Sequence, residues 1–263
     1  MILNEFDENR VAVINPEDIR KKLDNMPKTC LMLFSSSAIK IFLENYEHEA
    51  ISAVKNATGT FTIYKINVEG RDLAVMHAAL GAPAVVANTE EVISLGARNI
   101  LAVGCCGCLV EDLEDQAILI PTAAFRDEGT SYHYAPPSDE TIINPKMVEI
   151  VETFMNEKGI SFTKGKTWTT DAIYRETRDK MNRRVAAGAI TVDMECSALN
   201  VLAEFRGVNF AQFFYAADNL AKEEYDPRSL ITTVENIDMK TKSKIKIVKL
   251  AIECALAIDR NAK

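Results

Sequence analysis

The stretch Asn209-Phe210-Ala211-Gln212-Phe213-Phe214-Tyr215-Ala216-Ala217 is an almost unbroken apolar run of strand length, and it stops at Asp218-Asn219. A run of this kind reads as a strand buried on both faces, which is the habit of parallel sheets covered by helices. Similar runs occur at residues 30–34, 61–68, 73–80, 99–104, 117–124 and 189–194. Longer amphipathic stretches at 37–48, 83–95, 145–158, 172–185, 196–206 and 239–258 predict helices. Pro83 and Pro145 open two of them, and Gly96, Gly159 and Gly207 follow three of their ends. This alternation predicts an α/β fold with a largely parallel sheet. Glu69-Gly70-Arg71 between the second and third of these runs is a compact turn signal, so an antiparallel hairpin is expected there and the sheet is mixed. No Pro/Gly/Ser-rich linker, composition shift or repeat divides the chain, and one domain over 1–263 is predicted.

Hydrophobic residues make up 48% of 263, which excludes a disordered chain. Thirty Lys and Arg against 38 Asp and Glu give a net charge of −8. That balance argues against a nucleic-acid footprint, which needs a clustered excess of cations. The one basic cluster, Lys240, Lys242, Lys244, Lys246 and Lys249, reads as the solvated face of a helix. No apolar run approaches the about 20 residues of a membrane span, and the start of the chain lacks a signal-peptide pattern, so no membrane partner and a cytoplasmic setting are expected. Six cysteines in a cytoplasmic chain are expected to stay reduced.

In open α/β sheets ligands collect at the carboxyl ends of strands, so polar residues just after an apolar run are the first candidates. Three segments qualify. Asp218 is a carboxylate delivered by a buried strand, where desolvation can raise its pKa and fit it for general-acid work; a turn cap is the plainer reading. Thr191-Val192-Asp193-Met194-Glu195 brackets a methionine with two carboxylates at a strand-to-helix join. Carboxylates accept hydrogen bonds from sugar hydroxyls and a methionine can lie against a furanose, yet acidic residues are also favoured in any first helical turn. Gly104-Cys105-Cys106-Gly107-Cys108 is a glycine-containing loop after a strand. No second Cys/His cluster stands at zinc-site spacing, so no metal is expected. Phosphate-binding Gly-x4-Gly-Lys-Ser/Thr, dinucleotide Gly-x-Gly-x-x-Gly and hydrolase Gly-x-Ser-x-Gly motifs are absent, which argues against ATP, NAD and serine-hydrolase chemistry.

In this order the segments resemble the nucleoside phosphorylase family, which includes hexameric purine nucleoside phosphorylases, uridine phosphorylases and the methylthioadenosine/adenosylhomocysteine nucleosidases. The resemblance runs from about Cys30 to Arg228. It is carried by Val192-Asp193-Met194-Glu195-Cys196-Ser197-Ala198-Leu199, the Gly104-Cys105-Cys106-Gly107 loop ahead of Ile118-Leu119-Ile120-Pro121, and Ala217-Asp218-Asn219. Arg126-Asp127-Glu128-Gly129-Thr130-Ser131-Tyr132-His133-Tyr134 and the segment from Trp168 to Thr177 add to it. The resemblance implies a single-domain, three-layer α/β/α sandwich and cleavage of an N-glycosidic bond by phosphate, giving free base and sugar 1-phosphate, with no cofactor. It implies that Glu195 grips the ribose hydroxyls, Met194 lies under the sugar, and Asp218 protonates or hydrogen-bonds N7 of a purine; uridine remains possible. Trp168 aligns with an aromatic that stacks on the base, with a core tryptophan as the alternative. Arg228 aligns with an arginine that supports the aspartate, with a surface arginine as the alternative. A homodimer or homohexamer is implied.

The chain departs from the family where phosphate binds. The first loop reads Phe34-Ser35-Ser36-Ser37-Ala38-Ile39-Lys40, Ala102 stands at an arginine position and Cys105 at the Ser/Thr position. Ser35, Ser36, Gly104, Cys105 and Arg126 are therefore the candidate phosphate ligands, with helix-start N–H groups and Lys40 as further help. The alternatives are a hydrolytic nucleosidase, in which water is the nucleophile, and a nucleoside-binding relative without turnover.

Overall fold

A computed structural model describes residues 2–231 and 237–262. In chain order the elements are α1 (Pro16–Ile19), β1 (Thr29–Leu33), α2 (Ser36–Asn45), β2 (Glu49–Asn56), β3 (Gly59–Val68), β4 (Arg71–His77), α3 (Ala82–Leu95), β5 (Asn99–Cys108), β6 (Ile118–Asp127), β7 (Glu140–Ile142), α4 (Pro145–Glu157), β8 (Phe162–Thr170), α5 (Arg178–Ala186), β9 (Ala189–Asp193), α6 (Cys196–Arg206), β10 (Asn209–Asn219) and α7 (Ile237–Asn261). Short 3-10 turns lie at Ile173–Arg175 and Arg228–Leu230, among others.

The strands form one mixed sheet in the order β10-β6-β8-β9-β5-β1-β4-β3-β2, with β7 on β6. Its centre is parallel: β1 runs beside β4 and β5, and β5 beside β10 over Asn99–Cys108. The expected hairpin is β3 and β4, turned at Glu69 and Gly70 with φ of 52° and 76°, the pair of positive angles that a two-residue hairpin turn needs. β10 also pairs with β6, β6 with β8, β8 with β9 and β9 with β5. These pairings close one side of the sheet on itself, so β5 meets β10 along one edge and β9 at the end of the other.

Alternation along β1 shows the layers. Cys30 and Met32 pack into the apolar layer under α3 and α6, whereas Leu31 and Leu33 pack into the layer under α2, α4 and α7. Burying both faces of one sheet under helices gives the three-layer arrangement expected. A smaller cluster of Leu109, Phe125, Trp168, Met181, Ala189 and Val192 lies beneath α5.

Three local expectations change. The helix predicted over 172–185 begins only at Arg178, because Thr177 is extended (ψ 152°) at the N-cap and residues before it make a single 3-10 turn. Strands β2, β7 and β8 lie outside the predicted runs; in β8, Thr and Lys rather than aliphatic residues fill Phe162-Thr163-Lys164-Gly165-Lys166-Thr167-Trp168-Thr169-Thr170. The cysteine segment is no loop: β5 continues through Cys108, with Cys106 and Cys108 buried and Cys105 exposed.

Candidate active site

Gly107 is flanked by the two strands that lead to the candidate carboxylates. Asp218 of β10 pairs with it on one side and Val192 of β9 on the other. The bulge between Ala216 and Asp218 breaks the alternation of β10 at this point, a usual way of re-aiming a side chain at a site. A Cβ on Gly107 would meet Leu220 Cδ1 at 2.8 Å, Val192 Cγ1 at 2.9 Å and Asp218 Oδ1 at 3.3 Å, so a side chain here would displace these groups.

The two acidic residues around Met194 divide the work. Asp193 is buried and accepts from the N–H of Glu195 (2.8 Å) and Cys196 (2.6 Å) and from the hydroxyls of Thr167 (3.0 Å) and Thr169 (2.8 Å). It anchors the start of α6, which is the plainer of the two readings of this pair. Glu195 is 6% exposed, and its Oε1 accepts the Gly81 N–H at 2.6 Å. Burial, then the charge of Asp193, pushes its carboxyl up to about 8. Met194 is half-buried at the bend between β9 and α6.

Asp218 is 9% exposed, and burial holds its pKa above the usual carboxylate value despite a hydrogen bond from the Tyr225 hydroxyl at 3.0 Å and the nearby charge of Arg228. Arg228 donates to Leu113 O at 2.7 Å and to Asp226 Oδ2 at 3.3 Å. Its side chain is only 12% exposed, so it is not a surface arginine. Its backbone holds φ +38°, a strained value for a non-glycine residue that persists only where the surroundings enforce it. Glu176, which the sequence did not single out, is pushed up to about 7 by burial and then by the charge of Asp218.

Cys105 links these groups. It is exposed at the wall of a cavity, and its thiol pKa is raised by desolvation and then by Asp218 and Glu195, while Lys244 opposes them. One side chain thus feels both carboxylates and a lysine from α7. Beside it a cavity of about 310 Å³ is lined by Ser35, Ser36, Ser37, Cys105, Lys240 and Lys244, among others. Ser35 caps α2, its Oγ accepting from Ala38 N at 3.4 Å.

Several candidates stand elsewhere. Trp168 has no exposed surface; its Nε1 donates to Asp127 Oδ2 at 2.8 Å, and Lys180 and Arg184 lie over its ring. A ring so enclosed cannot stack on a base, and the core reading of Trp168 replaces the stacking one. Arg126 is equally committed: it donates to Ser131 Oγ (2.8 Å), Pro136 O (2.8 Å) and Ala135 O (3.3 Å), and lies over the Tyr132 ring. All its partners belong to the loop after β6, so it brings no charge to the cavity. Gly104 is buried against Phe34, where a Cβ would approach the Phe34 Cβ to 3.1 Å. Lys40 is exposed and pairs with Glu44 at 3.9 Å. The solvated-face reading holds for Lys242, Lys246 and Lys249 but fails for Lys240 and Lys244, which line the cavity. Among the described residues no cluster of His, Cys, Asp and Glu is arranged to hold a metal, and no helix is long and apolar enough to cross a membrane.

A mixed α/β sheet that presents buried carboxylates at the ends of β9 and β10 defines a class of proteins with a cleft at the carboxyl edge. The chain belongs to the phosphorylase superfamily, whose profile matches residues 28–253. It is 26% identical over 182 residues to a DeoD-type purine nucleoside phosphorylase of Bacillus cereus, covering 68% of this chain and 74% of that one. To the DeoD-type enzyme of Bacillus cytotoxicus it is 25% identical over 218 residues, 82% of this chain and 86% of the relative. Its fold matches the crystal structure of Toxoplasma gondii purine nucleoside phosphorylase in complex with immucillin-H (TM-score 0.75, 18% identity, 90% and 93% of the two chains). It matches Vibrio fischeri uridine phosphorylase equally well (TM-score 0.75, 16% identity, 93% and 98%).

Proposed function

We propose that this protein is a nucleoside phosphorylase, a pentosyltransferase that cleaves a nucleoside, preferably a purine nucleoside, with inorganic phosphate to give free base and sugar 1-phosphate. The observation that carries the reading is that Cys105 of β5 feels the charges of both Asp218 and Glu195, while Asp218 and Val192, three residues before Glu195, flank Gly107 from β10 and β9, an arrangement that suits one nucleoside touching both groups. The names of the relatives point the same way.

The glycosidic bond breaks through an oxocarbenium-like transition state, which needs a neutralised leaving group, a supported sugar and a nucleophile on the opposite face. A phosphate oxygen bonds to C1′ as the C1′–N bond breaks. The bond's electron pair leaves with the base, and Asp218, whose pKa burial raises, passes a proton to N7 or hydrogen-bonds there. Glu195, fixed by the Gly81 N–H, accepts from the 2′- and 3′-hydroxyls. Met194 lies against the furanose. Arg228 and Tyr225 hold the Asp218 end of the cleft. No cofactor takes part.

The reading extends to one domain over 1–263, a cytoplasmic setting and a homodimer or homohexamer. For assembly the support is the apolar surface near the N-terminus: Val11, Val13, Ile14 and Ile19 are 72%, 100%, 67% and 58% exposed.

The test is base release from inosine, adenosine, guanosine and uridine with and without phosphate. Phosphorolysis yields sugar 1-phosphate and stops without phosphate. Equal turnover in phosphate-free buffer with free ribose as product would overturn it in favour of hydrolysis, and nucleoside binding without base release in favour of a non-catalytic relative.

A further inference from the structure

The cavity beside Cys105 has an unusual electrical balance. The chain carries a net charge of −8, yet two lysines and no carboxylate line this space among the described residues. Lys240 and Lys244 are four apart on α7 and therefore on one face, where like charges repel by about 0.2–0.5 kcal/mol. Lys240 is only 9% exposed, and burial together with the charge of Lys244 lowers its pKa, with Asp115 opposing. Lys244 donates to Ser37 Oγ and Lys240 to Ile231 O. Two ammonium groups held beside three hydroxyls and a helix N-terminus present the charge and donors that an oxyanion takes. The cavity also occupies the right place: Cys105 and Ala217, the residue before Asp218, form part of its wall, at the carboxyl ends of β5 and β10.

We infer that Lys240 and Lys244, with Ser35, Ser36 and Ser37, hold the phosphate that attacks the nucleoside, so that α7 supplies from within one chain the positive charge that Ala102 and the serine loop do not. The inference rests on the phosphorylase reading for the identity of the anion. It places no demand on a neighbouring subunit for the charge. A lysine is a compact point charge, whereas an arginine grips two oxygens in a fixed fork, so this site selects an oxyanion more by charge than by fixed geometry.

Two measurements on the full-length protein test it. The first is calorimetric binding of inorganic phosphate without nucleoside; the second is the KM for phosphate and for nucleoside, measured separately. Lys244→Ala should weaken phosphate binding and raise the phosphate KM by about 10-fold or more, with the nucleoside KM within about twofold. Lys244→Arg should recover most of the loss, and the exposed Lys242→Ala should leave both constants unchanged. Lys240→Ala should act like Lys244→Ala; because Lys240 is buried, its Tm is measured alongside, and Lys244→Ala decides if that variant does not fold. Phosphate binding that is unchanged in Lys244→Ala overturns the inference even if turnover is phosphate-dependent, and so does a wild-type protein that binds no phosphate. If phosphate binds through the lysines while base release proceeds equally without it, the phosphorylase reading fails and the anion site stands.

Discussion

The phenol of Tyr225 donates its O–H to Oδ2 of Asp218 at 3.0 Å, so a largely exposed side chain steadies the ionised form of a carboxyl whose pKa burial raises. Removing that donor leaves the desolvation of Asp218 less opposed. Tyr225→Phe should therefore move the alkaline limb of the kcat/KM profile for a purine nucleoside to higher pH, by about 0.5–1 unit, while changing the maximal rate little. A limb that stays in place would show that this bond does not govern the acid.

Asp218→Asn removes the proton donor and should slow purine cleavage by about 10²–10⁴-fold. The same variant should largely spare p-nitrophenyl riboside, whose leaving group needs no proton. Equal losses on the two substrates would exclude Asp218 as the general acid.

Glu195 carries a pH signature in stability. Its carboxyl titrates at about 8 in the folded chain against 4.5 ordinarily, so between these values the folded state holds a proton that the unfolded state has lost. Stability relative to Glu195→Gln should then be greatest below about pH 4.5, fall as pH rises towards about 8, and level off above it. Thermal melts of both proteins across that range check the sign; a difference that grows with pH would contradict it. The variant should also lose about 10–100-fold in kcat/KM through the weakened grip on the sugar.

Trp168 offers a test of core against cleft. Trp168→Phe loses packing volume and the bond to Asp127, and should destabilise the fold by about 1–3 kcal/mol. The nucleoside KM should stay within about twofold, as expected for a ring with no surface in the cleft. A large rise in KM at unchanged Tm would return Trp168 to the binding site.

Periodicity announced most of the architecture because burial is written into it. The run 209–217 became β10, residues 196–206 became α6 at the predicted bounds, and Glu69-Gly70 became the turn of the β3–β4 hairpin. β8 escaped because its partners rather than its own aliphatic content make it a strand, and Arg126 misled because a lone arginine in sequence does not show that three nearby groups consume it. Lys240 and Lys244 were visible as a pair one turn apart, but a helix has several polar faces and spacing does not say which one meets a cavity.

By itself the sequence determined the α/β alternation and marked Glu195 and Asp218 as candidates, since each follows an apolar run within a few positions. Which groups share one space was decided only by the tertiary structure. The closure of β5 against β9 and β10 brings Asp218 and Val192 to either side of Gly107, and the packing of α7 turns two lysines inward to Ser35–Ser37. Those contacts join residues up to 207 positions apart, a separation that no local pattern encodes.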